Sequence, residues 1–121
     1  MKVLTCTLDG PVLDLLVAHC RKEEAWVVRM LGKAGRKHPV VKIHAKRGKH
    51  TIEYMPSRNW ALAGQIIEQE RISLDDSAED DGWRAFSYSV GWMEGPTPLV
   101  AAMRVYVASK MGHEVESPLI A

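Results

Sequence analysis

Residues 95–112, Gly-Pro-Thr-Pro-Leu-Val-Ala-Ala-Met-Arg-Val-Tyr-Val-Ala-Ser-Lys-Met-Gly, constrain this chain more than any other stretch. The segment carries its own start and stop. Thr97 suits an N-cap, and Pro98 suits a first helical position, whose N–H is unpaired in any case. Gly112 suits the residue that ends a helix, and Lys110 sits where the helix dipole favours a cation. Between these signals only Arg104, Ser109 and Lys110 are polar. A surface helix shows one apolar stripe; a helix apolar nearly all round is buried on several sides. The spacing therefore predicts a central helix over 98–111 with the rest of the chain packed round it.

A length of 121 residues fits one domain, 1–121, with one core. A net charge near +1 gives no global attraction to nucleic acid or membrane. No apolar run approaches the roughly 18 residues of a membrane span, and the first residues do not read as a secretory signal. Cys6 and Cys20 are too few for a disulfide framework, so a reduced cytoplasmic setting is expected.

In chain order, residues 2–7 favour a short strand. Val12, Leu13, Leu16, Val17 and Cys20 recur at helical spacing, predicting an amphipathic helix over 11–22 with Asp9 near its start. Residues 26–31 are compatible with helix or strand. Val40–Ile43 and Thr51–Tyr54 predict a β-hairpin with a basic tip. Ser57 or Asn59 can cap a helix over 58–70, in which Gly64 suggests the close approach of another backbone. A strand starts at Ile72 and Leu74, and five acids within 75–81 read as an exposed loop. Trp83–Val90 alternates as a strand does, Gly91–Glu94 reads as a turn, and the tail from His113 as loosely held. The fold class is α+β: an antiparallel sheet with about three helices, the last of them central.

Two blocks resemble a known family. One is Tyr54-Met-Pro-Ser-Arg-Asn-Trp-Ala-Leu-Ala-Gly-Gln-Ile-Ile-Glu-Gln-Glu-Arg-Ile72; the other runs from Gly95 to Glu116. Together they are similar to the NinX-type proteins of tailed bacteriophages, a family of unknown function. A looser likeness, a Tyr-x-x-Ser pattern before a helix and a late helix containing Arg, is to small phage proteins with an α–β–α sandwich. In the family a proline commonly follows the glycine of the first block, where this chain has Gln65. The basic stretch from Gly32 to His50 has no counterpart in that pattern. The resemblance implies a phage origin and expression in the host bacterial cytoplasm, and it supplies no catalytic residues.

Arg104 is the most informative single residue. It lies beside Val100, Val107, Ala108 and Met111 on a helical wheel, with no acid three or four positions away. A charge on an apolar face needs a partner from elsewhere. Glu68 is the favoured acid and Glu53 the alternative, as a structural ion pair or as part of a ligand site. Ser57 and Thr97 each precede a predicted helix, where free N–H groups receive anions or where the two residues act simply as caps. Trp60 stands beside this candidate site, giving Ser57, Trp60, Glu68, Thr97 and Arg104 as ligand-binding candidates. The basic stretch holds seven of the sixteen Lys and Arg residues within 33–49, and Lys42, Lys46, Arg47 and Lys49 are its candidate phosphate contacts. No aromatic residue lies between Gly32 and Thr51 to stack on bases, so a solvated hairpin remains the alternative.

No metal-ligand spacing, nucleophile elbow or phosphate loop is present, which points away from a metal site, a cofactor and an enzyme. The reading is a non-enzymatic phage accessory protein that binds a small anionic or nucleotide ligand or a host protein. Its most concrete form is counter-defence: sequestering a nucleotide signal or blocking a defence protein. The alternative is a nucleic-acid-binding module acting through 33–49. No membrane partner is expected. A homodimer is, with Val100, Val105, Ala108 and Met111 as its interface if helix 98–111 is left partly uncovered.

Overall fold

The computed structural model describes residues 2–31, 37–44, 50–77 and 82–117. Its elements, in order, are β1 (Lys2–Leu4), a 3-10 turn (Thr5–Thr7), α1 (Gly10–Cys20), β2 (Ala25–Leu31), β3 (Lys37–His44), β4 (Thr51–Glu53), α2 (Trp60–Glu70), β5 (Ser73–Asp76), β6 (Trp83–Ser87), β7 (Gly91–Gly95), α3 (Pro98–Met111) and β8 (Glu114–Glu116). The class is α+β as expected. The strands divide into three antiparallel ladders, β1–β8, β2–β3–β4 and β5–β6–β7.

α3 forms the middle layer. The sheet β5–β7 covers one side, and α1 and α2 cover the other. Nine residues of the helix are buried, from Leu99 to Met103 and from Val105 to Ala108. The caps stand as expected: the Thr97 hydroxyl accepts from the Val100 N–H (3.2 Å), and Gly112 takes φ +92°, a value few L side chains adopt. Val100, Val105 and Ala108 are at most 7% exposed within the single chain, so they offer no surface to a second copy; of the four expected interface residues only Met111 is exposed. Two layers of the same chain already cover this helix.

Several local expectations are corrected by long-range pairing. The tail is held through residue 116: β8 pairs with β1 in register Val3↔Val115. Thr5 adds two bonds, its N–H donating to His113 O (2.8 Å) and its hydroxyl to Gly112 O (2.6 Å). Gly91–Gly95 is a strand, not a turn, because it pairs along the length of β6, and the reversal falls at 88–90 instead. The ambiguous 26–31 segment is strand, fixed by register with β3 (Trp26↔Lys42). Asp75 and Asp76 belong to β5, where Asp75 bonds Arg84 (2.8 Å), an interaction that holds its carboxyl below the usual range. The rest of the acidic stretch, 78–81, lies outside the described residues.

Two glycines play opposite parts. A Cβ on Gly95 would stand 2.6 Å from the Ala101 backbone nitrogen, so this glycine lets β7 lie against the first turn of α3. Gly64 meets nothing within 4 Å, which corrects the close approach expected there.

One buried charge sets the start of α2. Asp14, on the inner face of α1, is 2% exposed and accepts from the Ser57 backbone N–H at 2.9 Å. Burial pushes its pKa up from 3.8 to about 6; the Ser57 N–H, the nearby Ser57 hydroxyl and the charge of Arg58 oppose the rise. The Ser57 hydroxyl is itself buried outside bonding geometry with any partner. Capping of α2 falls to Asn59, whose side chain accepts from the Ala61 and Leu62 N–H groups.

Gly95→Ala is expected to lose about 1–3 kcal/mol of stability through overpacking against backbone. Gly64→Ala should gain about 0.5–1 kcal/mol from helix propensity alone. Urea denaturation of both variants checks the pair, and equal effects would contradict the packing described. Asp14 gives a pH signature. Its folded-state pKa is raised, so the unfolded chain releases this proton first, and stability falls as pH rises from about 4 to about 6. The loss from this group is about 3 kcal/mol. Asp14→Asn keeps an acceptor for the Ser57 N–H, so the variant should lack this loss and be the more stable form at pH 7. Urea midpoints of both proteins at pH 4 and pH 7 measure the difference; parallel pH dependence would rule the assignment out.

Candidate functional site

Arg104 sits on the half-buried flank of α3, between the 3-10 turn and β7. Its partners are main-chain oxygens: Nε–H donates to Leu8 O (2.7 Å) and Nη1–H to Glu94 O (2.9 Å). Neither Glu68 nor Glu53 bonds it, which corrects the expected ion pair. Two carbonyl dipoles, from buried Leu8 and from strand β7, offset part of the charge. Among the described residues no acid lies within ion-pair distance of Arg104. Burial pushes its pKa down, while the charge of Asp9 and then the Cys6 thiol pull it back. Arginine stays protonated at such a site. An ion pair does tie α2 to α3, but it is Lys110 with Glu70 (2.8 Å), which raises the lysine pKa.

The guanidinium uses two of its five N–H groups on the protein and lines a cleft of about 410 Å³. Ser77, Gly82, Trp83, Glu94, Gly95 and Pro96 complete its walls. Trp83, among these lining residues, is 38% exposed. Gly95 and Pro96 lead directly into the α3 cap at Thr97, so the structure places Arg104 close to one of the two expected helix N-termini.

The other expected members lie apart. Ser57 is buried against Asp14 beneath Pro56, on the α1 side. Trp60 stands at the first position of α2, 57% exposed, and Glu68 is exposed on the same helix. Among the described residues no hydrogen bond or cavity wall joins Ser57, Trp60 or Glu68 to Arg104. Trp83, read in the sequence only as the start of an alternating strand, takes the place assigned to Trp60, because alternation marks a strand but not which cavity it lines. Asp14 was missed, although its signal was the same as that of Arg104: a charge among apolar neighbours on a helix.

Of the proposed phosphate contacts, Lys42 is half-buried in β3 and stands in register with Glu53 on β4. Lys46, Arg47 and Lys49 lie outside the described residues. His44 packs against Trp26 in a tilted arrangement, with ring centroids 4.8 Å apart. Burial pushes the Cys20 thiol up to about 11, leaving it protonated and a poor nucleophile at neutral pH. No helix of the described chain is long and apolar enough to cross a membrane.

No curated protein matches this chain. The family model described as Bacteriophage P22, NinX matches residues 5–110, a span that encloses the basic stretch, the first block of resemblance and the second block as far as Lys110. With that match over most of its length, the chain belongs to the bacteriophage P22 NinX family.

Proposed function

We propose that this protein is a non-enzymatic phage accessory protein that binds a small anionic ligand in the Arg104 cleft. The observation that carries the reading is a half-buried guanidinium held in place by two main-chain carbonyls, with no carboxylate in ion-pair distance among the described residues. Such a group is oriented before any ligand arrives, and its remaining N–H fork suits the oxygens of a phosphate or carboxylate. The cleft volume of about 410 Å³ falls in the range of small-molecule sites, roughly 300–1,000 Å³. Trp83 supplies a face on which a ring attached to the anion stacks. Among the described residues, the serine beside a carboxylate, Ser57 at Asp14, is sealed from solvent, which supports binding rather than catalysis. In an infected bacterium this chemistry serves counter-defence by withholding a nucleotide signal in the host cytoplasm.

Calorimetric titration with inorganic pyrophosphate and with AMP tests the reading. Both should bind, AMP the more tightly through Trp83. Arg104→Ala should weaken binding at least about tenfold, matching the loss of a charged hydrogen bond. The same variant leaves Leu8 O without its donor and should lose about 1–3 kcal/mol of stability. Arg104→Lys restores the charge but not the fork, so it should recover part of the affinity at most. Absence of binding, or undiminished binding by Arg104→Ala, would overturn the reading.

A further inference from the structure

A second cavity lies on the other side of the molecule, between α2 and the ladder β2–β3–β4, at the end of α1. Its volume is about 210 Å³. Sites for drug-sized ligands begin near roughly 300 Å³, so this one takes a single ring system and leaves any attached group at the mouth. Buried Ile43 and Ile66 form apolar walls, and Ile52 stands at 41% exposure on the rim. Five polar side chains line this apolar space, Arg21, Glu23, His44, Tyr54 and Gln65, and His44 is engaged with the Trp26 ring.

Tyr54 is the residue that points to a ligand. It is 7% exposed and lines the cavity, and among the described residues no protein group bonds its hydroxyl, which is not sealed inside the protein. Burial pushes its pKa up to about 12, against the pull of Arg21, so the group remains a donor. Glu23 reaches the cavity because α1 ends on Lys22 at φ +59°, and the Glu23 N–H closes the helix on Ala18 O (2.9 Å). Arg21 is held from behind, Nη1–H donating to Gln69 Oε1 at 2.6 Å.

We propose that this cavity is a nucleobase site that prefers guanine. The walls are apolar on both sides, as a planar ring requires. Glu23 offers two acceptor oxygens to adjacent N–H donors, and among the common bases guanine alone presents a ring N–H beside an exocyclic amine. Tyr54 and Arg21 supply donors for the O6 and N7 acceptors of the same ring. Gln65, with both a donor and an acceptor, serves either edge. The sugar and anything attached to it remain outside, toward solvent. This site is separate from the Arg104 cleft, and an uncharged nucleoside suffices to fill it.

Calorimetric titration of the whole protein with guanosine, adenosine and ribose 5-phosphate tests the proposal. Guanosine should bind, and adenosine and ribose 5-phosphate should bind at least about tenfold more weakly. Glu23→Gln replaces an acceptor with a donor and should weaken guanosine at least about tenfold, as should Tyr54→Phe, which keeps the ring and loses only the hydroxyl. Gln65→Ala, at an exposed position, provides a third variant with no bearing on folding. Urea midpoints of all three establish that the folded state is retained. No guanosine binding at millimolar concentration, equal binding of adenosine, or undiminished binding by Glu23→Gln would each overturn the proposal. Since guanosine carries no phosphate, its failure leaves anion binding at Arg104 standing, and the reverse holds equally.

Discussion

Burial of α3 on two sides is the constraint that the other elements satisfy. A helix of this composition left against water on either face would expose a large apolar area, worth roughly 25 cal/mol for each Å². Covering it takes a sheet on one side and two helices on the other, and the connections follow from that requirement. Gly95 carries no side chain because β7 must reach the first turn of the helix it precedes. Thr5 closes the far end, where its N–H and hydroxyl bond the backbone just beyond the helix. The pairing of β1 with β8 brings the two ends of the described chain together at that point.

The charged groups within this packing are resolved in three physically different ways. Arg104 is balanced by carbonyl dipoles, which orient it without neutralising it. Asp14 is balanced in part by the Ser57 N–H and in part by a pKa pushed toward neutrality. Lys110 and Glu70 form a conventional pair at the surface, where water screens it and its contribution is small. The first arrangement leaves a cation with unused donors facing a cleft. That difference, rather than burial itself, separates a candidate binding group from a structural one.

The elements legible in the sequence were those whose signals are local. Thr97, Pro98 and Gly112 bounded α3 correctly, because capping depends on residues within one turn. Alternation at 83–87 identified β6 for the same reason. What remained hidden depended on partners distant in the chain. Gly91–Gly95 looks like a turn by composition and becomes a strand through β6. The tail after His113 lacks periodicity and is ordered through β1. The need of Arg104 for a partner could be read, but a carbonyl 96 residues away leaves no trace in side-chain identity. Ser57 and Trp60 were grouped with it because they neighbour a helix start, and only the placement of α1 shows that Asp14 claims the former.

The two blocks that carried the family resemblance prove to be the ones that build the packing. The second supplies α3, its caps, Gly95 and β8; the first supplies Tyr54, the Ser57 turn and α2. Their residues are accounted for largely by closure of the core, so membership of the NinX family speaks to the fold before it speaks to chemistry. The candidate chemistry is distributed differently. Arg104 and Tyr54 come from the blocks, but Trp83, Glu23 and Arg21 come from segments outside them. Each cavity therefore joins a side chain fixed by the core to others carried on segments that the core constrains less. A scaffold of this kind can hold one fold while the ligand changes with the outer residues, and the function must be argued from the cavities of the individual chain.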